Sequence, residues 1–256
     1  MSCRLLCLSL LFLPLAALAQ LEPGTIFNPG VDLSTPREAV DGTEGTLEFG
    51  YVASSGNSEQ ETLTFDTEWA LRRGLWRHRL AATALNSSED EETIRERYAA
   101  TGQSDYTIGG ANYIFGALAY DKDRFSGIDS QTSEVLGYGR RLLDGPALEL
   151  RLELGGGLKQ IRYLEPVDGA RATSEPIART RGDFAWNFLD NGAVEQRLLY
   201  ERGAQTSLLE AETGLRLDLN ELIFARLSYV LRRNGDVPDD RVNTDRYTTI
   251  TLGVSL

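Results

Sequence analysis

Two kinds of connection alternate along this chain, and that alternation limits the possible folds more than any other feature. Residues 46–256 read as about twelve strand-length runs in which apolar and polar residues alternate. Short links fall at residues 73–75, 108–110, 143–146, 190–192 and 220–221, and longer polar links at residues 86–93, 121–130, 163–175 and 234–241. In an up-and-down barrel, odd links lie at one end and even links at the other. The pattern predicts an all-β fold, an antiparallel transmembrane β-barrel with tight turns at one end and long loops at the other.

The N-terminus has the three parts of an export signal. Arg4 supplies a positive charge, residues 5–15 form an apolar core, and residues 17–19 (ALA) form a small-x-small cleavage site. The apolar core is shorter than the ~20 residues that a helix needs to span hydrocarbon, which disfavours an anchor helix. We expect a signal peptide at residues 1–19, an irregular periplasmic lead segment at residues 20–45 and one barrel domain at residues 46–256.

Composition excludes several classes of function. The net charge of -12 and the pI near 4.7 argue against nucleic acid as a partner, because binding to nucleic acid rests on basic patches. Cys3 and Cys7 both lie in the predicted signal, so the mature chain is expected to hold no disulfide and no cysteine metal site. A mean hydropathy of -0.27 suits a soluble protein, but it also suits a barrel, since only one face of each spanning strand is apolar.

A period of two is clearest in three runs, at residues 148–154, 209–219 and 223–232. In the first run the two faces are occupied by Leu148, Leu150, Leu152 and Leu154 on one side and Glu149, Arg151 and Glu153 on the other. Side chains that are two residues apart share a face of a strand, so each run predicts one apolar and one charged face.

Alternation alone does not say which face is inside, because a soluble lipocalin-like barrel holds its apolar face inward. Two observations favour the inverted arrangement. Aromatic residues cluster near the short links, as expected of rings at a membrane–water interface, namely Trp69, Trp76, Tyr106, Tyr113 and Trp186. About twelve strands also form a barrel too wide for apolar side chains to fill. We therefore predict a charged, wet lumen and an apolar outer surface.

The predicted lumen carries nearly equal numbers of acidic and basic side chains. In this register the lumen charges include Glu149, Arg151, Glu153, Arg197, Glu210, Glu212, Arg216 and Arg226. A strongly selective pore would show a ring of one sign. Balanced charges indicate ion pairs between strands that line or partly close a channel, with arginine suited to hold several carboxylates at once. A network that only stabilises a wet interior is an equally good interpretation.

Five segments of the chain are similar to a known family: residues 50–58, 72–80, 113–116, 120–127 and 243–252. In these segments the chain resembles the DUF481 family, uncharacterised outer-membrane proteins sometimes labelled salt-induced. The resemblance extends over essentially the whole barrel and implies an outer-membrane location and a barrel fold. It implies no activity and no catalytic residues. Relatives tend to end in an aromatic residue, whereas this chain ends at Leu256.

Few residues suggest chemistry. His78 is the only histidine; it shares a face with Trp76 and Leu80 near a short link, and no motif places a serine or an acid beside it. The acidic run at residues 88–92 lacks the spaced oxygen ligands of a calcium loop, so we interpret it as a solvated loop. The run at residues 121–127 mixes both signs and can form its own ion pairs over the mouth, so we interpret it as an ordered loop. We expect no catalytic residue, no metal site and no cofactor.

The sequence thus predicts a monomeric outer-membrane barrel with both chain ends in the periplasm and the long loops outside. The leading hypothesis is a structural protein or a narrow passive pore for small solutes, surrounded by outer-membrane lipid and lipopolysaccharide and delivered by the barrel-assembly machinery. Two alternatives stay open: a barrel enzyme that acts on lipid or peptide, and a soluble periplasmic ligand-binding barrel.

Overall fold

Antiparallel strands close into one β-barrel in the computed structural model, which describes residues 41–54, 60–89, 92–123, 128–167, 169–235 and 243–256. The twelve strands of this described part are β1 Gly42–Ser54, β2 Gln60–Arg73, β3 Trp76–Glu89, β4 Glu92–Gly109, β5 Asn112–Asp123, β6 Ile128–Asp144, β7 Leu148–Val167, β8 Ala170–Leu189, β9 Gly192–Gly203, β10 Ser207–Asp218, β11 Ile223–Asn234 and β12 Thr244–Ser255. Each strand pairs with its neighbours in sequence, which confirms the predicted up-and-down all-β barrel. Among the described residues, no helix is long and apolar enough to cross a membrane.

The ring closes where β1 pairs with β12. The register of this seam runs from the pair Thr46–Ser255 to the pair Phe49–Leu252. Two backbone hydrogen bonds extend it, because the Gly45 and Leu256 amides each donate to the carbonyl of the other residue at 3.1 and 2.8 Å. A closed ring leaves no free sheet edge, so strand backbone groups are paired within the barrel rather than with solvent.

The barrel begins earlier than the sequence pattern predicts. β1 starts at Gly42, four residues before the expected start at residue 46, because Gly42–Gly45 pair in register with Arg72–Trp69 of β2. Two glycines in four residues hide the period of two, while the partner strand supplies the backbone hydrogen bonds. The predicted signal peptide and residues 20–40 of the predicted lead segment lie outside the described residues.

All five predicted short links are tight turns at one end of the barrel, which we call the tight-turn end. Gly74 between β2 and β3 and Gly110 between β4 and β5 have φ angles of 55° and 52°, a left-handed conformation that favours glycine. The Asn220 carboxamide oxygen holds the β10–β11 turn by accepting hydrogen bonds from the backbone amides of Leu222 and Ile223, both at 2.8 Å. We call the opposite end the loop end.

The expectation of long loops is wrong at three of the four predicted places. β3 extends to Glu89 and β4 starts at Glu92, β5 extends to Asp123 and β6 starts at Ile128, and β7 extends to Val167 and β8 starts at Ala170. Strand pairing needs only backbone donors and acceptors, so polar side chains do not end a strand that continues beyond an apolar band. Only the link at residues 234–241 stays long, and residues 236–242 there lie outside the described part.

One stretch of the inner wall is built from glycines under aromatic rings. A Cβ on Gly139 would lie 2.2 Å from the Tyr113 ring, and one on Gly137 would lie 2.7 Å from the Phe115 ring. The two rings pack with Val135 and Ile177 in a buried apolar cluster on β5, β6 and β8. Because Gly137 and Gly139 have no side chains, the two rings can lie against the wall at these positions.

Candidate functional site in the lumen

The predicted lumen charges all point into the barrel. Along each strand, the buried charged residues occupy every second position. All eight predicted lumen charges are at most 9% exposed: Glu149, Arg151, Glu153, Arg197, Glu210, Glu212, Arg216 and Arg226. The alternate positions carry large apolar side chains that are exposed on the outside, for example Leu136 at 74%, Leu154 at 62% and Ile250 at 68%. The barrel is therefore apolar outside and charged inside, the reverse of a water-soluble barrel.

Glu153 on β7 is the centre of the first charge network, toward the tight-turn end. Its Oε1 atom accepts hydrogen bonds from Arg79 Nη2 at 3.3 Å, Gln103 Nε2 at 2.8 Å and the Tyr113 hydroxyl at 2.9 Å. Arg79 also donates to Asp105 Oδ2 at 3.0 Å. Side chains from β3, β4, β5 and β7 thus converge on one carboxylate inside the barrel.

Tyr113 corrects one prediction. It was expected among the interfacial aromatics, but its ring is 1% exposed and lies in the lumen. Period-two alternation along β5 turns Tyr113 and Phe115 inward, and Gly139 on β6, the residue paired with Tyr113, leaves room for the ring. Proximity to a short link was therefore a poor guide to which face the ring occupies.

Two arginines organise the second network. Arg197 on β9 lies 3.6 Å from Glu68 on β2, 3.6 Å from Glu195 and 3.4 Å from Glu212. Arg226 on β11 lies 3.5 Å from both Glu48 and Glu195. β2 and β9 are not neighbours, since β10, β11, β12 and β1 separate them along the shorter path around the ring. The Arg197–Glu68 pair therefore spans the interior rather than following the wall.

The third network joins opposite walls at the loop end. Asp121 on β5 forms an ion pair with Arg97 on β4, and its Oδ2 lies 3.7 Å from Arg232 Nη1 on β11. Asp121 was expected in a loop, and that expectation is wrong: β5 continues to Asp123 and the Asp121 side chain turns inward. The rest of that expected loop, residues 124–127, lies outside the described residues.

The structure turns inward two further charges that the sequence pattern does not predict. Lys159 on β7 lies 3.1 Å from Glu201 on β9, and Glu175 on β8 accepts a hydrogen bond from the Gln205 amide at 2.8 Å. Steps of two residues from Glu153 lead to Lys159, but Gly155 and Gly157 interrupt the charged face. That continued alternation was the signal that could have found it.

The other predicted aromatics lie on the outer surface near the tight turns. Trp69, Trp76 and Trp186 are 39–47% exposed, and the Trp76 ring lies 4.9 Å from the Tyr106 ring.

His78 stacks on Trp76 at 5.7 Å, and its Nδ1 lies 2.8 Å from the Ser104 hydroxyl. No sequence motif indicates this serine, since it is the pairing of β3 with β4 that brings it beside His78. Within the described residues no carboxylate contacts this histidine, so the pair lacks the acid that orients a catalytic base.

Metal binding finds no support in the described residues, among which no group of three or more His, Cys, Asp or Glu side chains is arranged to hold an ion. Two residues of the acidic run at 88–92, residues 90 and 91, lie outside that part of the chain. The lumen networks therefore remain the chemically distinctive surface.

Comparison with known proteins gives a family and similar barrels. A family model described as "Protein of unknown function, DUF481" matches residues 47–256. The uncharacterized protein YdiY of Escherichia coli (strain K12) is 33% identical over 227 residues, which cover 88% of this chain and 87% of YdiY. Among solved structures, the NanC porin is similar at 10% identity and a TM-score of 0.48, covering 82% of this chain and 97% of the porin. The translocator domain of autotransporter NalP from Neisseria meningitidis has 13% identity and a TM-score of 0.46, covering 83% and 86%.

Proposed function

The chain belongs to the DUF481 family, whose description assigns no function, and we propose from its own geometry that it is a narrow passive outer-membrane pore for small solutes. The pore is monomeric and charge-balanced. Its surroundings are outer-membrane lipid and lipopolysaccharide, and the barrel-assembly machinery inserts it.

The two surfaces of the barrel support a membrane location. Exposed leucine, isoleucine and aromatic side chains cover the outside, and transfer of such surface from water to hydrocarbon is favourable by roughly 25 cal/mol per Å². The charged groups face the interior, where they meet one another and water. A soluble ligand-binding barrel would reverse these two faces, so this geometry disfavours that alternative.

The Asp121–Arg232 pair is the observation that carries the proposal of a narrow pore. Five strands separate β5 from β11 in either direction around the ring, so these residues stand on opposite walls. Their side chains approach within 3.7 Å, and the lumen is therefore bridged at this level. Water and small solutes can pass beside such a bridge. The bridge is not compatible with a wide, open channel.

Weak ion selectivity follows from how the charges are paired. The buried charged side chains of the described residues include eleven acids and eleven bases, and pairs such as Arg226–Glu195 set the two signs side by side, so neither sign forms a ring of its own. Selective filters expose groups of one sign to the passing ion. A wall of paired charges is expected to pass small cations and anions at similar rates.

Single-channel recording in planar bilayers tests the proposal. We expect discrete, small conductance steps from the wild-type protein, and larger steps from the double variant Asp121→Asn, Arg232→Gln, in which the bridge between opposite walls is lost. A matched control is Arg202→Gln, an exposed arginine on β9. If wild type and double variant are both electrically silent, the barrel is structural and not a pore.

The enzyme alternative has one supporting contact, the His78–Ser104 pair on the outer surface. The pair has no orienting carboxylate among the described residues, and it lies outside the lumen. Loss of a measured hydrolase activity in a His78→Gln variant would favour that alternative over the pore.

A further inference from the structure

A cavity of about 60 Å³ lies inside the barrel toward the loop end. Three cations and three anions line it: Lys159, Arg179, Arg232, Asp121, Glu201 and Glu210. Uncharged polar side chains of β4 and β6, aliphatic side chains of β4, β5, β9 and β10, and Tyr120 of β5 complete the lining. One water needs only ~10–15 Å³ of such space, so the cavity has room for a small solute that displaces several waters.

Four of the six charges are already paired. Lys159 Nζ lies 3.1 Å from Glu201 Oε2, and Arg232 Nη1 lies 3.7 Å from Asp121 Oδ2. In each pair the two opposite charges neutralise one another, and Asp121 also pairs with Arg97, which lies outside the lining. One side chain of each sign in the lining forms no such pair.

Arg179 and Glu210 stand opposite Glu201 and Arg232 in the strand register, but they lie beyond ion-pair distance of these residues. They are 5% and 4% exposed, and neither forms an ion pair with any residue that the structure describes. Arg179 Nε and Glu210 Oε2 also have no hydrogen-bond partner. A buried charge without a partner is costly, and the cost is greatest where the group has also lost its water. A ligand that meets only one of the two groups leaves the other unsatisfied.

We propose that this cavity binds a small zwitterion, a solute that carries both a carboxylate and an ammonium group, as free amino acids do. The carboxylate binds the Arg179 guanidinium, whose planar donors match a carboxylate, and the ammonium group binds the Glu210 carboxylate. The zwitterion has no net charge, which suits a cavity whose own charges sum to zero. As the solute class of the pore, this inference rests on the function proposed above, whereas binding in the cavity does not require conduction.

Isothermal titration of the purified full chain in detergent micelles tests the site, with glycine as the probe. We expect saturable glycine binding, and binding of acetate and of methylammonium that is weaker by about tenfold or more, because each offers one charge only. Arg179→Gln and Glu210→Gln should each weaken glycine binding by about tenfold or more. The control Arg202→Gln, on the exposed face of β9, should bind glycine as the wild type does.

Three results overturn the site: no saturable glycine heat with the wild type, equal binding of acetate and glycine, or unchanged glycine binding in both variants. Heat-dependent mobility on gels verifies that each variant is folded, and the wild-type comparison of three probes stands even if a variant does not fold. Binding of glucose in place of glycine would indicate a site for neutral polyols and also overturns the proposal. Glycine binding by an electrically silent barrel refutes the pore and leaves the site intact, whereas conduction without glycine binding refutes the site alone.

Discussion

Asp121 and Arg232 approach within 3.7 Å from opposite walls of the barrel. A twelve-stranded ring is wide enough to hold water, yet long charged side chains can still reach across it. The same is true of Arg197 and Glu68, which meet at 3.6 Å between β9 and β2. The interior is thus crossed by ion pairs at more than one level, and its free cross-section depends on side chains rather than on the width of the backbone ring.

The outward direction of Leu227 predicts a large effect of charge at that position. Leu227 lies near the middle of β11, is 43% exposed and pairs with Ile250, which is 68% exposed. Leu227→Arg should destabilise the folded barrel by ~2–4 kcal/mol, because the charge enters hydrocarbon. Urea unfolding in lipid vesicles measures the loss. The control Ser228→Ala, on the inward face, should change stability much less, and equal effects of the two substitutions would contradict a lipid-facing exterior.

Glu153 should be the most sensitive single residue of the lumen. Arg79, Gln103 and Tyr113 all donate to its Oε1 atom, so Glu153→Ala removes the acceptor of the Tyr113 hydroxyl and leaves Arg79 and Gln103 with Asp105 alone. We expect a loss of ~3–5 kcal/mol, the cost of breaking a buried ion pair from one side. Tyr113→Phe, which removes a single hydroxyl, should cost ~1 kcal/mol. Similar unfolding midpoints for the two variants would show that Glu153 does not organise this network.

Glycine at position 139 should be required for packing. A Cβ there would lie 2.2 Å from the Tyr113 ring, so Gly139→Ala should destabilise the barrel by ~1–3 kcal/mol. Gly214→Ala is the matched control, since the nearest atom to a Cβ at that inward position is 3.8 Å away. Adding Tyr113→Ala to the Gly139→Ala variant removes the clash. A double variant that is no better than additive would refute the steric explanation.

Orientation in the membrane is testable by labelling. We expect an epitope inserted after Val167, at the loop end, to be reached by antibody on intact cells. An epitope inserted at Asn191, in the tight turn between β8 and β9, should be reached only after the outer membrane is broken. Labelling in the opposite order would reverse the proposed topology without affecting the barrel.

Much of the fold was predictable because a period of two is a local signal. In the run 148–154, the polarity of each residue indicates which face of the strand it occupies, and the structure places Glu149, Arg151 and Glu153 inside. The signal fails where side chains are small or uniformly polar. Gly42–Gly45 read as irregular although they pair with β2, and the polar residues near Glu89 and Glu92 read as loop although they are paired in a hairpin.

The partners of the lumen charges were not predictable, because they depend on how the ring closes. Arg197 lies near Glu195 by sequence, but its contact with Glu68 comes from a strand far away in the chain. Ser104 likewise reaches His78 only through the β3–β4 register. The position of Tyr113 along its strand does not determine which face its ring occupies. Nearness to a turn suggests a membrane interface, whereas the register turns the ring inward.

A comparison of wild type with Arg197→Gln tests the charge-paired pore. The quantity measured is the reversal potential across a planar bilayer with a salt gradient. Arg197 pairs with Glu68, Glu195 and Glu212, so its loss leaves Glu68 and Glu212 without an ion pair among the described residues, while Glu195 keeps Arg226. We expect a wild-type reversal potential near zero with small conductance, and in the variant a shift toward the cation equilibrium potential with larger conductance. Strong selectivity in the wild type, an unchanged potential in the variant, or electrical silence of both would contradict a narrow pore with a charge-paired wall.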